Sequence, residues 1–249
     1  MWSRPESRWL GDMLSIHELT KRRGSREILS GLSFEARPGR VTAFLGPNGA
    51  GKTSTLRILL GLDSATSGTA LIDGVPFARL KDPLTKVGAL LDGSGAHRSR
   101  TARAHLRWIA AAGGIPPARV AEVLGVVGLT DDARRRVRSY SLGMSRRLGL
   151  AAALLGDPEI LVLDEPVNGL DPEGIRWIRT FLRERAETGR TVLLSSHFLG
   201  EVAETVDDAV VIHQGQIVAQ GTLSEVVGEH GTIEDAYFAL TGAPRGGLR

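Results

Sequence analysis

The chain has 249 residues, 42% of them hydrophobic and 24% charged, which excludes an intrinsically disordered chain and is enough for one large domain with a sizeable core. The net charge of +3 is too mild to indicate a nucleic-acid binder, and the absence of cysteine excludes a disulfide framework and a thiolate metal site. No apolar run approaches the ~20 residues of a membrane span and no secretory signal opens the chain, so we expect a soluble, cytoplasmic protein that is not itself a channel.

The first part of the chain divides into an extension and a β-rich segment. Residues 1–12 show no periodicity and are expected to be an N-terminal extension of the main domain. Between residues 13 and 36, hydrophobic and polar residues alternate enough for two or three strands. A Pro38-Gly39 turn then leads into Val41–Leu45, whose continuous apolar run is typical of a buried strand.

A glycine-rich loop follows this strand and precedes a predicted helix, 53–60, whose leucines share one face. The loop matches the pattern G-x-x-x-x-G-K-[ST]. Its glycines let backbone N–H groups point at the β- and γ-phosphates of a nucleotide, the lysine adds a point charge, and the threonine hydroxyl binds Mg²⁺. The N-terminus of the helix also favours an anion here. The predicted nucleotide-binding residues are Gly46, Pro47, Asn48, Gly49, Ala50, Gly51, Lys52, Thr53 and Ser54.

Strands and helices alternate along most of the remaining chain. Strands are predicted at 68–77, 87–91, 160–163 and 191–194, and helices from Thr101 to the Gly113-Gly114 pair, from Pro116 to Gly128, and over 173–187. Such alternation indicates a mostly parallel sheet covered by helices on both faces. The tail, 243–249, is rich in glycine and arginine and is predicted to be disordered.

A carboxylate pair follows the strand predicted at 160–163. Asp164 and Glu165 come directly after its four apolar residues, and ligands of open α/β sheets bind at that edge. Asp164 is placed to hold Mg²⁺ and Glu165 to polarise an attacking water, which are the parts that phosphoryl transfer needs. An acidic pair alone is equally typical of a strand-to-loop turn, but after a phosphate loop the catalytic interpretation is favoured.

Three further segments complete an ordered set of motifs. Tyr140–Met144 precedes an amphipathic helix, Asn168–Asp171 follows the carboxylate pair, and Ser195–His197 follows the next strand. With the phosphate loop and the carboxylate pair, in this order, they resemble the nucleotide-binding subunit of an ATP-binding cassette (ABC) transporter. The resemblance covers about residues 14–241, and its motifs are specific jointly rather than singly.

The resemblance implies a fold and a domain organisation. The expected fold class is α/β: a P-loop NTPase with a mostly parallel sheet, an N-terminal antiparallel β part and a helical subdomain insert. The nucleotide-binding domain is expected over 13–242, with the helical insert at about 93–139.

The resemblance also implies site residues that the motifs alone do not. In this family two cassettes face each other, with ATP between the phosphate loop of one and the signature segment of the other. Ser141 and Gly143 would contact the γ-phosphate of the ATP held by the partner, and Asp171 would link the two sites. His197 would bond the γ-phosphate and act with Glu165 in catalysis. Ser141 is equally typical of an ordinary helix N-cap, and both roles are compatible.

Several positions depart from the common family pattern. Leu142 and Met144 replace one glycine and the glutamine of the signature. Asp92 stands where the family has a glutamine, and it is predicted to reach Mg²⁺ or water; a surface turn at Asp92-Gly93 is the alternative. Arg23 stands where an aromatic residue usually stacks on adenine, so it is the candidate adenine contact and weak base discrimination is expected. The variant signature with the Arg147-Leu148-Gly149 that follows it, and the run 164–175, resemble the branch of bacterial exporters of bacitracin and lantibiotic resistance, which suggests export. The acidic residue at Asp92 fits the same branch.

The predicted function is therefore an ATP-hydrolysing transport motor that uses ATP and Mg²⁺. Its expected partners are a separate multi-span membrane permease and a second nucleotide-binding subunit, with attachment to the inner face of the cell membrane and no nucleic acid. Clustered arginines at 134–138 and 146–147 are interpreted as a solvated helix face, with nucleic acid or anionic lipid as other uses. Two alternative classes are a soluble cassette ATPase acting on ribosomes or nucleic acid, and a regulatory cassette that does not hydrolyse ATP.

Overall fold

A computed structural model describes residues 13–91, 93–197, 200 and 204–242. The predicted extension 1–12, the candidate metal ligand Asp92 and the predicted tail 243–249 lie outside the described residues. The strands are β1 (Leu14–Arg23), β2 (Arg26–Ala36), β3 (Val41–Leu45), β4 (Ser67–Ile72), β5 (Val87–Leu90), β6 (Ile160–Asp164), β7 (Thr191–Ser196), β8 (Asp208–His213) and β9 (Gln216–Thr222). The α-helices of the described part are α1 (Lys52–Leu59), α2 (Pro83–Lys86), α3 (Ala102–Ala112), α4 (Arg119–Val126), α5 (Leu142–Ala153), α6 (Pro172–Glu187), α7 (Leu223–Val227) and α8 (Ile233–Thr241).

The main sheet has the strand order β5-β6-β7-β3-β8-β9. Its first five strands run parallel, and β9 pairs antiparallel with β8 at one edge. A second, antiparallel sheet has the order β2-β1-β4. The predicted fold class, a mostly parallel sheet with an N-terminal antiparallel part, is therefore confirmed.

The central strands of the main sheet are mostly apolar and are buried on both faces. Every residue of β3, β6 and β7 is buried. Successive side chains alternate between two cores: Val41, Ala43 and Leu45 belong to the helical side, whereas Phe44 packs toward the antiparallel sheet. The rings of Phe44 and Phe34 lie 5.0 Å apart between centroids and join the two sheets. This layering fixes the carboxyl ends of β3, β6 and β7 side by side.

The helices extend the core away from the sheet. Helices α3 and α4 fall within the range predicted for the insert, and their buried residues share one core with α5 and α6. No prediction covers β8, β9, α7 or α8. Over 68–77 the sequence predicts short strands with an Asp73-Gly74 turn; the structure has β4, a turn at Asp73-Gly74 and an antiparallel β-bridge between Ile72 and Val75, and a 3₁₀ turn follows at Phe77–Arg79. Among the described residues, no helix has the length and apolar character needed to cross a bilayer.

Candidate nucleotide-binding and hydrolysis site

The glycine-rich loop joins β3 to α1, as the sequence predicted, and two of its glycines adopt backbone that other residues avoid. Gly49 has φ +82° and Gly51 has φ +114°. At Gly51 a Cβ would also lie 2.4 Å from Leu29 Cδ2, and at Gly46 a Cβ would lie 2.3 Å from the carbonyl oxygen of Ile212. The loop therefore needs glycine at these positions to keep its course against β2 and β8.

Lys52 turns back into the loop. Its side chain is only 5% exposed, and Nζ donates to the carbonyl oxygens of Gly46 at 2.7 Å and Pro47 at 3.3 Å. Glu165 Oε1 lies 3.4 Å from the same nitrogen. Burial lowers the pKa of Lys52, and the Glu165 and Asp164 carboxylates oppose part of that shift. The ammonium group thus lies inside the phosphate-binding loop and next to the carboxylate pair.

Asp164 is held by two hydroxyl groups. Thr53 Oγ1 donates to Asp164 Oδ2 at 2.7 Å, and the hydroxyl of Ser195 donates to Oδ1. Asp164 and Ser195 are both buried and are direct neighbours in the register of β6 and β7. Asp164 and Thr53 are both predicted from the sequence to hold Mg²⁺, and the structure brings them together. No role was predicted for Ser195, although a hydroxyl residue at the end of the neighbouring buried strand was the available signal.

Glu165 and His197 lie in contact at the same edge. Glu165 Oε2 is 2.9 Å from His197 Nδ1 and accepts from the His197 backbone N–H at 3.3 Å. The Glu165 N–H donates to both the carbonyl and the hydroxyl oxygen of Ser195, at 3.2 and 3.1 Å. Glu165 has φ +50°, a left-handed conformation that costs about 1–2 kcal/mol for a residue with a Cβ. The Glu165 backbone is thus strained, and the contacts with His197 hold its carboxylate in one direction.

The signature segment and the segment before α6 meet within this chain. Ser141 is the N-cap of α5 and accepts from the Met144 N–H at 3.2 Å, and Asp171 is the N-cap of α6 and accepts from the Gly174 N–H at 2.8 Å. A Cβ on Gly143 would lie 3.0 Å from the carbonyl oxygen of Gly169. Within the described residues, neither Ser141 nor Asp171 is bonded to the phosphate loop, so both remain candidates for contacts with another molecule.

Leu142 is 63% exposed beside this contact. Its side chain lies against Gly169, where a Cβ would come within 2.4 Å of Leu142 Cδ2. Leu142 therefore lies at the surface, where the N-termini of α5 and α6 meet. Further along α5, Arg146 Nη1 donates to the carbonyl oxygen of Leu91 at 2.9 Å, which ties this helix to the end of β5.

Arg23, the candidate adenine contact, is engaged elsewhere. Its guanidinium lies 3.2 Å from Asp63 Oδ2, and Lys21 Nζ lies 2.6 Å from Asp63 Oδ1. The hydrogen bond from Lys21 lowers the pKa of Asp63 to about 2. The Arg23 side chain is nevertheless 62% exposed, so one face of its guanidinium is open to a ligand.

Residues 29–168, more than half of the chain, match a family model described as ABC transporter. The chain belongs to the ABC transporter family. The bacitracin transport ATP-binding protein BcrA of Bacillus licheniformis is 40% identical over 85% of this chain and 70% of its own length. The lantibiotic transport ATP-binding protein SrtF of Streptococcus pyogenes is 36% identical over 84% of this chain and 90% of its own.

A solved structure described as an ATP-binding subunit of an ABC transporter has the same fold. Its TM-score is 0.83 at 26% identity, and the match covers 92% of this chain and 99% of that one. This ABC transporter chain is thus an ATP-binding subunit and an ATPase, as the sequence predicted.

Proposed function

We propose that this ABC subunit drives export of a drug or peptide through a separate membrane permease, in partnership with a second nucleotide-binding subunit. The names of its relatives, which refer to bacitracin and lantibiotic transport, support this substrate class. The observation that carries the proposal is the cluster at the phosphate loop, where Lys52 and Thr53 contact the carboxylates of Glu165 and Asp164. Transported molecules are recognised by the permease, so the chain itself supplies the energy-converting step.

Thr53 and Asp164 are the residues proposed to hold Mg²⁺. Their hydroxyl and carboxylate oxygens are hard ligands, and they already lie within 2.7 Å of each other. Among the described residues no group of three or more metal-ligating side chains is present, which fits a cation that takes its other ligands from water and substrate phosphates. When bound, Mg²⁺ would neutralise charge on the triphosphate. Asp92 stays a predicted further ligand.

Glu165 is proposed as the residue that takes a proton from the attacking water. His197 directs it, since its Nδ1 and its backbone N–H both face Oε2 of the carboxylate. Lys52 Nζ lies 3.4 Å from the other oxygen of this carboxylate. By the family resemblance, His197 also bonds the γ-phosphate. The phosphate loop, 46–54, holds the triphosphate through its backbone N–H groups and the helix N-terminus.

Closure of two cassettes is proposed to couple hydrolysis to transport. Ser141 and Gly143 would bind the γ-phosphate of ATP on the partner, and Asp171 would contact the other site. The helix N-terminus after Ser141 favours such an anion. ATP would then stabilise the closed pair and hydrolysis would release it. The helical insert, about 93–139, is proposed to transmit the motion to the permease at the inner face of the membrane.

The Glu165→Gln variant tests this function. It keeps the side-chain shape but removes the base, so ATP binding is expected to persist while turnover falls by about 10²–10⁴-fold. Glu187→Gln is a matched control, because Glu187 is an exposed residue at the end of α6. Both proteins carry an affinity tag and are isolated from native membranes with and without ATP, and the co-purifying proteins are identified.

A multi-span membrane protein recovered with Glu165→Gln is the expected partner, and its pocket would then define the transported molecule. Recovery of ribosomes or nucleic acid alone would refute the transport role in favour of a soluble cassette ATPase. Unchanged turnover in Glu165→Gln would refute the assignment of the base independently of the partner.

A further inference from the structure

Positive charge is concentrated in the helical insert. Residues 93–139 contain nine arginines, no lysine and three acidic residues, a net charge of +6 compared with +3 for the whole chain. The rest of the chain is therefore net negative. Because the whole-chain charge is mild, the local excess is visible only when the insert is considered separately.

Part of this charge lies around an exposed tryptophan on α3. An open groove of about 520 Å³ is lined by Thr101, Arg103, Ala104, Arg107, Trp108 and Arg134. Trp108 is 57% exposed, and the guanidinium of Arg100 lies 4.8 Å from its ring centroid. We call these seven residues the Trp108 patch. It combines one amphipathic aromatic side chain with four arginine side chains.

The guanidinium groups of the patch lack acidic partners. Among the described residues, no carboxylate oxygen lies within 4.0 Å of the guanidinium nitrogens of Arg103, Arg107 or Arg134, and none of these three guanidinium groups donates a hydrogen bond. Neighbouring arginines differ, since Arg119 pairs with Glu122 and Arg135 pairs with Asp132. The patch is thus distinct from an ordinary solvated face, on which opposite charges are interspersed.

Helix α3 carries an energetic cost for this arrangement. Arg103 and Arg107 are four residues apart and so lie on the same face, where like charges destabilise a helix by about 0.2–0.5 kcal/mol. No acidic residue lies in the first turn of the helix to offset them. An anion bound between the two side chains would remove the repulsion.

We propose that the Trp108 patch binds the phosphate headgroups of anionic lipids directly at the membrane surface. Guanidinium groups bind phosphate through paired N–H donors, and indole rings favour the interface between headgroups and hydrocarbon. Among the large hydrophobic side chains that the described part of the chain exposes, Trp108 is the one aromatic. Single-stranded nucleic acid is bound on series of stacked aromatic residues, so the patch fits a lipid surface better.

This inference rests on the proposed function only in placing the chain beside a membrane. It requires neither the permease nor a particular transported molecule. Direct lipid contact would add a second attachment to the one through the permease, and it would orient the helical insert toward the bilayer.

The test is flotation of the purified full-length chain, without permease or nucleotide, on two kinds of vesicle. One contains phosphatidylglycerol and phosphatidylcholine, and the other contains phosphatidylcholine alone. We expect binding to the anionic vesicles that falls with added salt. Each arginine near such a surface contributes roughly fivefold to affinity, so Arg103→Gln combined with Arg107→Gln is expected to weaken binding by about 30-fold. Trp108→Ala is expected to weaken it as well.

The matched control is Arg37→Gln combined with Arg79→Gln, which removes the same charge from exposed positions outside the patch. It is expected to retain most of the binding, and circular dichroism spectra check that all variants fold. Equal binding to both vesicle types, or equal loss in the control, would overturn the proposal. A single-stranded RNA oligonucleotide bound more tightly than the vesicles, with the same dependence on Trp108, would replace it with nucleic-acid binding. Failure here leaves the ATPase test of Glu165→Gln unaffected.

Discussion

Replacing Ser195 by alanine removes one oxygen atom from the centre of the site. The hydroxyl of Ser195 donates to Asp164 Oδ1, and both residues are buried. The Glu165 N–H loses one acceptor but keeps the Ser195 carbonyl oxygen at 3.2 Å. The unsatisfied group in Ser195→Ala is thus a single carboxylate oxygen. Hydrogen bonds to charged groups contribute about 1.5–3 kcal/mol, so the free energy of unfolding is expected to fall by about 2 kcal/mol.

The same change should affect catalysis through the proposed cation site. Asp164 keeps its bond from Thr53 but can rotate about it once Ser195 is gone. A higher Mg²⁺ concentration is then expected for half-maximal ATPase activity, with ATP affinity in the absence of Mg²⁺ little changed. Urea unfolding without nucleotide measures the change in the free energy of unfolding. A Mg²⁺ titration of ATP turnover measures the Mg²⁺ concentration needed for half-maximal activity.

Thr42→Val is the matched control. Thr42 lies on β3, next to β7, and is as fully buried as Ser195, but within the described residues its hydroxyl has no hydrogen-bond partner. Removing it should leave stability unchanged or raise it by up to about 1 kcal/mol. An ordinary surface substitution changes the free energy of unfolding by up to ~0.5 kcal/mol. If Ser195→Ala changes it by no more than that and leaves the Mg²⁺ dependence of turnover unchanged, the proposed role of Ser195 in holding Asp164 is wrong.

Three other outcomes are expected. Gly51→Ala should abolish ATP binding in an equilibrium binding assay, because its Cβ would lie 2.4 Å from the Leu29 side chain. Gly49→Ala is the comparison, because its Cβ would meet nothing within 4 Å. It should lower the free energy of unfolding by only the ~1–2 kcal/mol of its left-handed backbone. Asp63→Asn should lower stability by less than about 1 kcal/mol. The pKa of Asp63 is lowered from 3.8 to about 2, so the difference in free energy of unfolding between the two proteins should have its full size above pH 3.8 and shrink as pH falls toward 2. A difference in urea unfolding that does not change with pH would contradict this. Turnover of ATP and GTP should differ by less than ~100-fold, because Arg23, the candidate adenine contact, is expected to discriminate weakly between bases; a larger preference would contradict this expectation.

The sequence predicted the parts of the site that are contiguous in the chain. A buried strand, a glycine loop and a helix define the phosphate-binding segment locally, and four apolar residues before Asp164 locate the carboxylate pair at a strand end. These predictions need only residue type and periodicity, and the mostly parallel α/β fold follows from the same alternation.

Contacts that depend on strand order were not predicted. Ser195 reaches Asp164 because β6 and β7 are neighbours in register, which no local pattern in either strand encodes. The pairing of Arg23 with Asp63 joins residues 40 positions apart. Strand β8 was missed although it is apolar, and it provides the Ile212 carbonyl that makes glycine necessary at Gly46. Contacts between residues that only the strand order brings together can thus be identified only from the three-dimensional structure.

The bond from Arg146 to the carbonyl of Leu91 has a mechanical consequence. Arg146 lies in the same helix that starts after Ser141, so this bond, together with the close packing of Gly149 against Leu90, connects the end of β5 with the signature turn. A single hydrogen bond of this kind contributes a net ~1 kcal/mol, little more than thermal energy. This bond alone is therefore weak enough to break and re-form at ambient temperature, while the packing of Gly149 against Leu90 keeps the helix next to the strand.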